Sequence, residues 1–389
     1  MVNPYAVGER AVLQKSKVKL FDLVCKNATE EQWAEWLRVP LEHAAAGGDV
    51  ALVNDLLAAG ANGEAGWKGC HNRTLLCAAA QGGKLEVVRA LIKAGARPDV
   101  NEPGGKQLRS PLHYAALNGC EGIAEELLLS GANPNDKDSE GIAPIYTAAE
   151  LGYEGITSLL LKARVEVDVR GFDDTTALHW AAMSGHFSVV MGLLIAGASV
   201  SLRSKKGRSA LDFAVMGGHL DVIRLLGQRG EHVSCAESKD TVLHLAATHN
   251  QAGAVDVLVD VGCDVRARGR HGATPLHFAA CKGNCGALSA LLRHHANVDA
   301  KAAKGRTPLM WAISCLHQEA ADLLLRWGAD ENSADDEGRS AKQFIGISLQ
   351  KAEREGRRRD VDNIHKLLAN APADRAWRRR GLLLLCRAF

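Results

Sequence analysis

The stretch Thr274-Pro275-Leu276-His277-Phe278-Ala279-Ala280 recurs in variant form along most of the chain, and a chain that repeats one short unit has few folds open to it. Thr274 is a good N-cap, because its hydroxyl can accept from an N–H of the first helical turn. Pro275 follows at the first helical position, where its missing N–H costs nothing. Leu276 and the small pair Ala279-Ala280 give this helix an apolar face that neighbours can approach closely, and Gly283 supplies the left-handed residue that ends it. Ala287, Leu288, Leu291 and Leu292 then recur at spacings of three and four and mark a second helix before His295-Ala296-Asn297. The unit is helix, turn, helix, loop.

Aligned on the cap, the copies begin at Val39, Thr74, Ser110, Ala143, Thr176, Ser209, Thr241, Thr274, Thr307 and Ser340, a period of about 33 residues. His113, His179, His244 and His277 share one position, and Gly-Ala follows the second helix at Gly60-Ala61, Gly95-Ala96, Gly131-Ala132, Gly197-Ala198 and Gly328-Ala329. This period and the T-P-L-H-x-A motif resemble the ankyrin repeat over roughly residues 39 to 340. The resemblance implies an all-α, right-handed solenoid of stacked helix-turn-helix units whose connecting loops form β-hairpin fingers. The chain then divides into 1–38, an N-terminal segment with a capping helix opened by Thr29-Glu30-Glu31-Gln32 and carrying Trp33, Trp36 and Leu37; 39–340, the array of nine repeats; 341–370, a degenerate C-terminal capping repeat; and 371–389, a basic and apolar tail.

Several copies depart from the pattern. Glu42 stands at the histidine position of repeat one, and Arg164-Val165 replaces Gly-Ala in repeat four, so that its second helix is expected to end differently. Asn250 replaces the first-helix glycine of repeat seven, a substitution that the left-handed conformation tolerates. Leu316 does so in repeat nine, where it predicts a distorted turn.

A repeat array buries its core between neighbours, so one elongated domain accounts for 389 residues. The net charge of +2 supplies no bulk attraction for nucleic acid, and any electrostatic preference has to be local. The ten cysteines lack paired spacing and several replace small apolar helix residues, which fits a reducing compartment. Met1 to Lys19 carries no apolar run and no segment approaches eighteen apolar residues, so the expected location is the cytoplasm, with the nucleus as the alternative.

No catalytic, cofactor or metal constellation emerges, and no enzyme activity is expected. Gly82-Gly83-Lys84 and Gly104-Gly105-Lys106 are followed by Leu85 and Gln107, where magnesium coordination in a phosphate loop needs Ser or Thr. His277, Cys281 and Cys285, with His294 and His295 nearby, are the best metal candidate, but the motif already employs His277. The column Tyr114, Trp180, Phe213, Phe278 and Trp311 reads as packing between repeats in preference to a stacking platform.

What the resemblance implies is a non-enzymatic scaffold or adaptor that binds a protein through its concave face and fingers. Carried over position by position, the contact residues are Lys205, Lys206, Arg208, Met216 and Gly217 in repeat six, Arg270, His271, Cys281 and Lys282 in repeat eight, and Lys304, Arg306, Ser314 and Cys315 in repeat nine. These fingers are basic, whereas Glu237 and Asp240 interrupt the run in repeat seven, and Glu140, Asp335, Asp336 and Glu337 stand at other fingers. The expected partner is an acidic or phosphorylated protein bound by a monomer, with no small-molecule substrate and with nucleic acid disfavoured. The alternative is a membrane-associated adaptor that uses the basic fingers with Arg375, Arg378, Arg379, Arg380, Trp377 and Leu382 to Leu385 of the tail.

Overall fold

The computed structural model describes residues 30–58, 61, 74–95, 101–229 and 239–385; Thr29, Glu237, the Gly-Ala at Gly60 and Ala96, and the side chains of Trp33, Trp36 and the tail lie outside the described residues. The chain is mostly helical and forms two compact units, Met1–Ala181 with Ser188–Ser199 and Ala182–Phe187 with Val200–Phe389.

In the first unit the first helices of successive repeats are α1 (Glu30–Gly47), α3 (Leu75–Gln81), α5 (Pro111–Asn118) and α7 (Pro144–Leu151), each packed on the next. The second helices α2 (Val50–Ala58), α4 (Leu85–Lys93), α6 (Glu121–Leu129) and α8 (Glu154–Lys162) make a parallel series of contacts; α9 (Ala177–Ser184) and α10 (Phe187–Ile195) each carry residues of both units. The second unit repeats the scheme. Its first helices are α11 (Ala210–Gly217), α13 (Val242–Thr248), α15 (Pro275–Lys282), α17 (Pro308–Ser314) and α19 (Ala341–Arg354), and its second helices are α12 (Leu220–Gly227), α14 (Ala252–Asp260), α16 (Cys285–Arg293), α18 (Gln318–Arg326) and α20 (Arg358–Leu385). The Ala pairs Ala79-Ala80, Ala115-Ala116, Ala246-Ala247 and Ala279-Ala280 are wholly shielded from solvent, and so are Leu91, Leu127, Leu288 and Leu324 of the second helices. Small residues let the helix backbones close up while the leucines fill the space behind them, which places the core between repeats.

One side chain joins consecutive repeats. The amide of Ser110 donates to His113 Nδ1 at 3.1 Å, and His113 Nε2 donates to the Ile142 carbonyl of the next loop at 2.9 Å. His244 bonds Thr241 N at 3.0 Å and the Ala273 carbonyl at 3.0 Å, and His277 bonds Thr274 N at 3.1 Å and the Arg306 carbonyl at 3.1 Å. Cys77 stands at the same place in repeat two and directs its thiol to the Arg109 carbonyl at 3.5 Å, while Tyr146 in repeat four bonds Thr175 Oγ1. Asp212 accepts from Ser209 N at 2.8 Å in repeat six. An acceptor nitrogen facing a backbone N–H requires a neutral imidazole. Burial accordingly lowers the pKa of His113 and His244 and brings that of His277 to about 4.

The left-handed residues between helices keep their conformation whatever side chain they carry. Arg164 has φ of 59° and Leu316 of 61°, against 95° for Gly131 and 71° for Gly283. Arg164 N reaches the Leu161 carbonyl at 3.1 Å, as Gly131 N reaches Leu128, so the second helix of repeat four ends as its counterparts do and the expectation of a different ending fails. The turn at Leu316 is likewise undistorted, with His317 N on the Ala312 carbonyl at 3.0 Å where Asn284 N meets Ala279 at 2.9 Å. Asn250, at φ of 56°, also accepts from Ala287 N at 3.0 Å. At Gly283 a Cβ would lie 2.5 Å from the His317 ring, so glycine there serves close approach as well as conformation.

The first copy departs from expectation. Val39 offers no oxygen to cap a helix, and α1 runs through it with Pro40 inside, merging the capping helix with the first helix of repeat one. At the other end α20 continues as helix to Leu385.

Two consequences are measurable. Unfolded histidine takes up a proton near pH 6.5 and native His277 only near 4, so its stabilising effect is complete above 6.5 and is lost as pH falls through that window. His277→Gln, which installs the side chain this chain uses at Gln343, should therefore lose about 2 kcal/mol less than the parent between pH 7 and pH 5 in urea unfolding; an identical pH dependence would refute the buried neutral imidazole. Exposed Arg164→Gly relieves left-handed strain and should stabilise by about 0.5–1 kcal/mol, whereas Leu316→Gly forfeits a buried side chain and should destabilise by about 1–3 kcal/mol in the same assay.

Candidate partner-binding surface

Five residues form each loop tip, and they close in one pattern. In repeat eight Gly269 N bonds the Ala273 carbonyl at 2.8 Å and Gly272 N bonds Gly269 at 3.1 Å; in repeat six Ser204 N bonds Arg208 at 3.0 Å and Gly207 N bonds Ser204 at 2.8 Å. Repeat nine closes in the same way over Ala302 to Arg306, and the last repeat over Asp335 to Arg339. The fingers are therefore tight turns, and the described residues contain two isolated β-bridges, Gly104 with Arg109 and Ala334 with Ser340, and no β-strand. The residue at the centre of each turn has both flanking carbonyl–amide bonds behind it, so its side chain projects from the tip. In the second unit that residue is Lys206, His271, Lys304 and finally Glu337, all exposed.

All nine basic, Met and His residues expected at the surface lie in the second unit, and they fall into two classes. Lys205, Lys206, His271, Lys282 and Lys304 are exposed and make no ion pair among the described residues. The others are engaged by the protein itself. Arg270 donates its amide and Nε to Asp240, both at 2.8 Å, so the acidic residue that interrupts the basic run neutralises the finger that follows it. Arg208 Nη1 lies 3.0 Å from the Sδ of half-buried Met216. Arg306 stacks over the Phe344 ring at 5.2 Å from its centroid, and Arg339 stacks on the same ring at 5.3 Å while pairing with Asp335 at 2.8 Å and Glu337 at 2.6 Å. Arg306 holds the same place in its turn as Arg339, one repeat earlier.

The expected aromatic column is built into the packing. The Phe278 ring meets His244 edge-on at 5.2 Å and lies 6.2 Å from Trp311, whose ring in turn meets His277 at 5.2 Å. Both nitrogens of His277 are engaged, so the histidine does not converge with Cys281 and Cys285 on one ion. Among the described residues no group of three or more His, Cys, Asp or Glu is placed to hold a metal, and no helix is long and apolar enough to cross a membrane.

Sequence reasoning missed the Asp240–Arg270 pair, the shared ring of Phe344, and the approach of Cys281 Sγ to Cys315 Sγ at 3.2 Å. Their common signal is a separation of about one repeat, since stacking brings such positions side by side. The cysteines stand 34 residues apart without being equivalent positions, because the repeat-eight counterpart of Cys315 is Lys282.

Comparison with known proteins agrees with this geometry. The model of ankyrin repeats in three copies matches residues 41–138, 121–204, 191–269 and 243–335. The chain is similar to the crystal structure of the human ASB11 ankyrin repeat domain, with a TM-score of 0.52 and 26% identity, over 57% of this chain and 99% of that one. It is also 45% identical over 58 residues to the palmitoyltransferase AKR1 of Kluyveromyces lactis, a match that spans 15% of this chain and 7% of that relative. With its period, its cap-to-loop side chains and its paired helices all in place, the chain belongs to the ankyrin repeat family.

Proposed function

We propose that this protein is a scaffold that binds an acidic or phosphorylated protein segment through the loop tips and first-helix ends of repeats six to nine. Ankyrin repeats generally mediate protein–protein interaction, and the observation that carries the finer reading is the exposure of Lys205, Lys206, His271 and Lys304 at equivalent turn tips with no ion pair among the described residues. An ammonium group outside any ion pair attracts an anionic partner at long range, whereas Arg270 already satisfies Asp240. Arg208, Arg306 and Met216 support the turns from behind and contribute shape more than charge. Lys282, exposed at the last turn of α15, adds a cation at the inner end of the same surface.

The test is a screen of acidic and phosphoserine peptides against the full chain, followed by triple reversal of Lys205, Lys206 and Lys304 to Glu. Exposed pairs contribute about 0.5 kcal/mol each, so the selected peptide should lose about tenfold in affinity, and its association should slow as salt rises. A reversed protein that keeps its helical signal and binds undiminished at low salt would remove the basic tips from the site.

A second reading, association with an anionic membrane surface, draws on the continuation of α20 as helix through Arg378-Arg379-Arg380 to Leu385. It predicts that the full chain sediments with phosphatidylserine vesicles and that removal of 371–389 abolishes this; equal sedimentation of both forms would exclude the tail as an anchor.

A further inference from the structure

Cys281 occupies the last turn of α15 and Cys315 caps the end of α17, on successive repeats of the second unit. Their Sγ atoms are 3.2 Å apart, and both residues are reduced and half-buried. A disulfide needs the sulfurs at about 2.05 Å, a closure of about 1 Å from their present separation. The helices pack on each other with Ala279 and Ala280 fully buried, and His277, whose bond to the Arg306 carbonyl ties repeat eight to repeat nine, holds their register. The two sulfurs are therefore preorganised, and half-burial admits a small oxidant.

We propose that Cys281 and Cys315 form an oxidisable thiol pair, a modification site at which hydrogen peroxide closes a disulfide between repeats eight and nine. One thiolate attacks a peroxide oxygen, the O–O bond breaks, and the leaving oxygen takes a proton and departs as water, which leaves that sulfur as a sulfenic acid. The second thiolate attacks the sulfenic sulfur; the S–S bond forms, the S–O bond breaks, and the hydroxyl leaves with a proton as a second water. Two thiols supply the two electrons that reduce one hydrogen peroxide.

The other described cysteines are differently placed. Cys77 is buried with its thiol against the Arg109 carbonyl at 3.5 Å, and Cys263 is buried, which pushes its thiol up to about 11. Cys120 and Cys285 direct their thiols to the carbonyls of Asn118 and Gly283, two residues away in the chain. The positions of Cys281 and Cys315 also coincide with first-helix sites expected to face a partner, so the cross-link would fix the spacing of two repeats at that surface.

The experiment is treatment of the dilute full chain with hydrogen peroxide, differential alkylation, proteolysis without reductant and mass spectrometry. The expected product joins the peptides of Cys281 and Cys315, the two thiols disappear together one for one, and dithiothreitol restores both. Cys315→Ser should instead leave a sulfenic acid at Cys281 that dimedone captures, and the urea midpoint of the parent should rise on oxidation and return on reduction. Linkage of Cys281 to Cys285 or to a second chain, or persistence of both thiols while Cys120 is consumed, would overturn the proposal. So would a Cys315→Ser protein that folds yet yields no dimedone adduct.

Discussion

A side chain three residues after each helix cap faces two ways, and the stacking of repeats depends on it. Toward its own repeat it accepts the cap amide; toward the next it reaches the last residue of the loop tip. His113, His244 and His277 do both with one neutral ring, because a rigid imidazole presents an acceptor and a donor on opposite edges. Cys77 and Tyr146 preserve the forward contact with different chemistry, and Asp212 preserves the backward one. Each such group is buried, so an unmade bond would cost more than the made bond contributes, and this asymmetry selects one register between neighbours.

Around that contact the fold accepts local strain rather than altered geometry. Arg164, Leu316 and His295 adopt the left-handed backbone that glycine occupies elsewhere. A cost of about 1–2 kcal/mol at one residue is small beside the burial lost if two helices changed their angle, so packing overrides the conformational preference. At Leu316 the side chain is itself buried, which returns part of the cost.

The same stacking sorts the charges. A loop tip has little room, and arginine fills it in two ways: by pairing with a carboxylate, as Arg270 does with Asp240, or by lying on a ring, as Arg306 and Arg339 both do with Phe344. Planar guanidinium suits both, whereas the lysine ammonium is strongly hydrated and stays outside. The lysines consequently stay exposed at the tips, and the arginines hold the turns that present them.

The period, the alternation of two helices, the caps, the buried alanine pairs and the histidine position are all legible in the residues, and they suffice for the fold. Their physical basis is local: a cap bond spans three residues and an apolar face repeats at three and four, so neighbouring letters carry the information. Packing in three dimensions is what puts Pro40 inside a helix, ends repeat four like the others, sets Asp240 against Arg270 and brings Cys281 to Cys315. Each of the two pairings joins residues about one repeat apart, and whether they touch depends on side-chain reach across a stacked interface. Spacing in the chain fixes which repeats are neighbours, but the few ångströms that separate a pair from a near miss are set by how the helices pack.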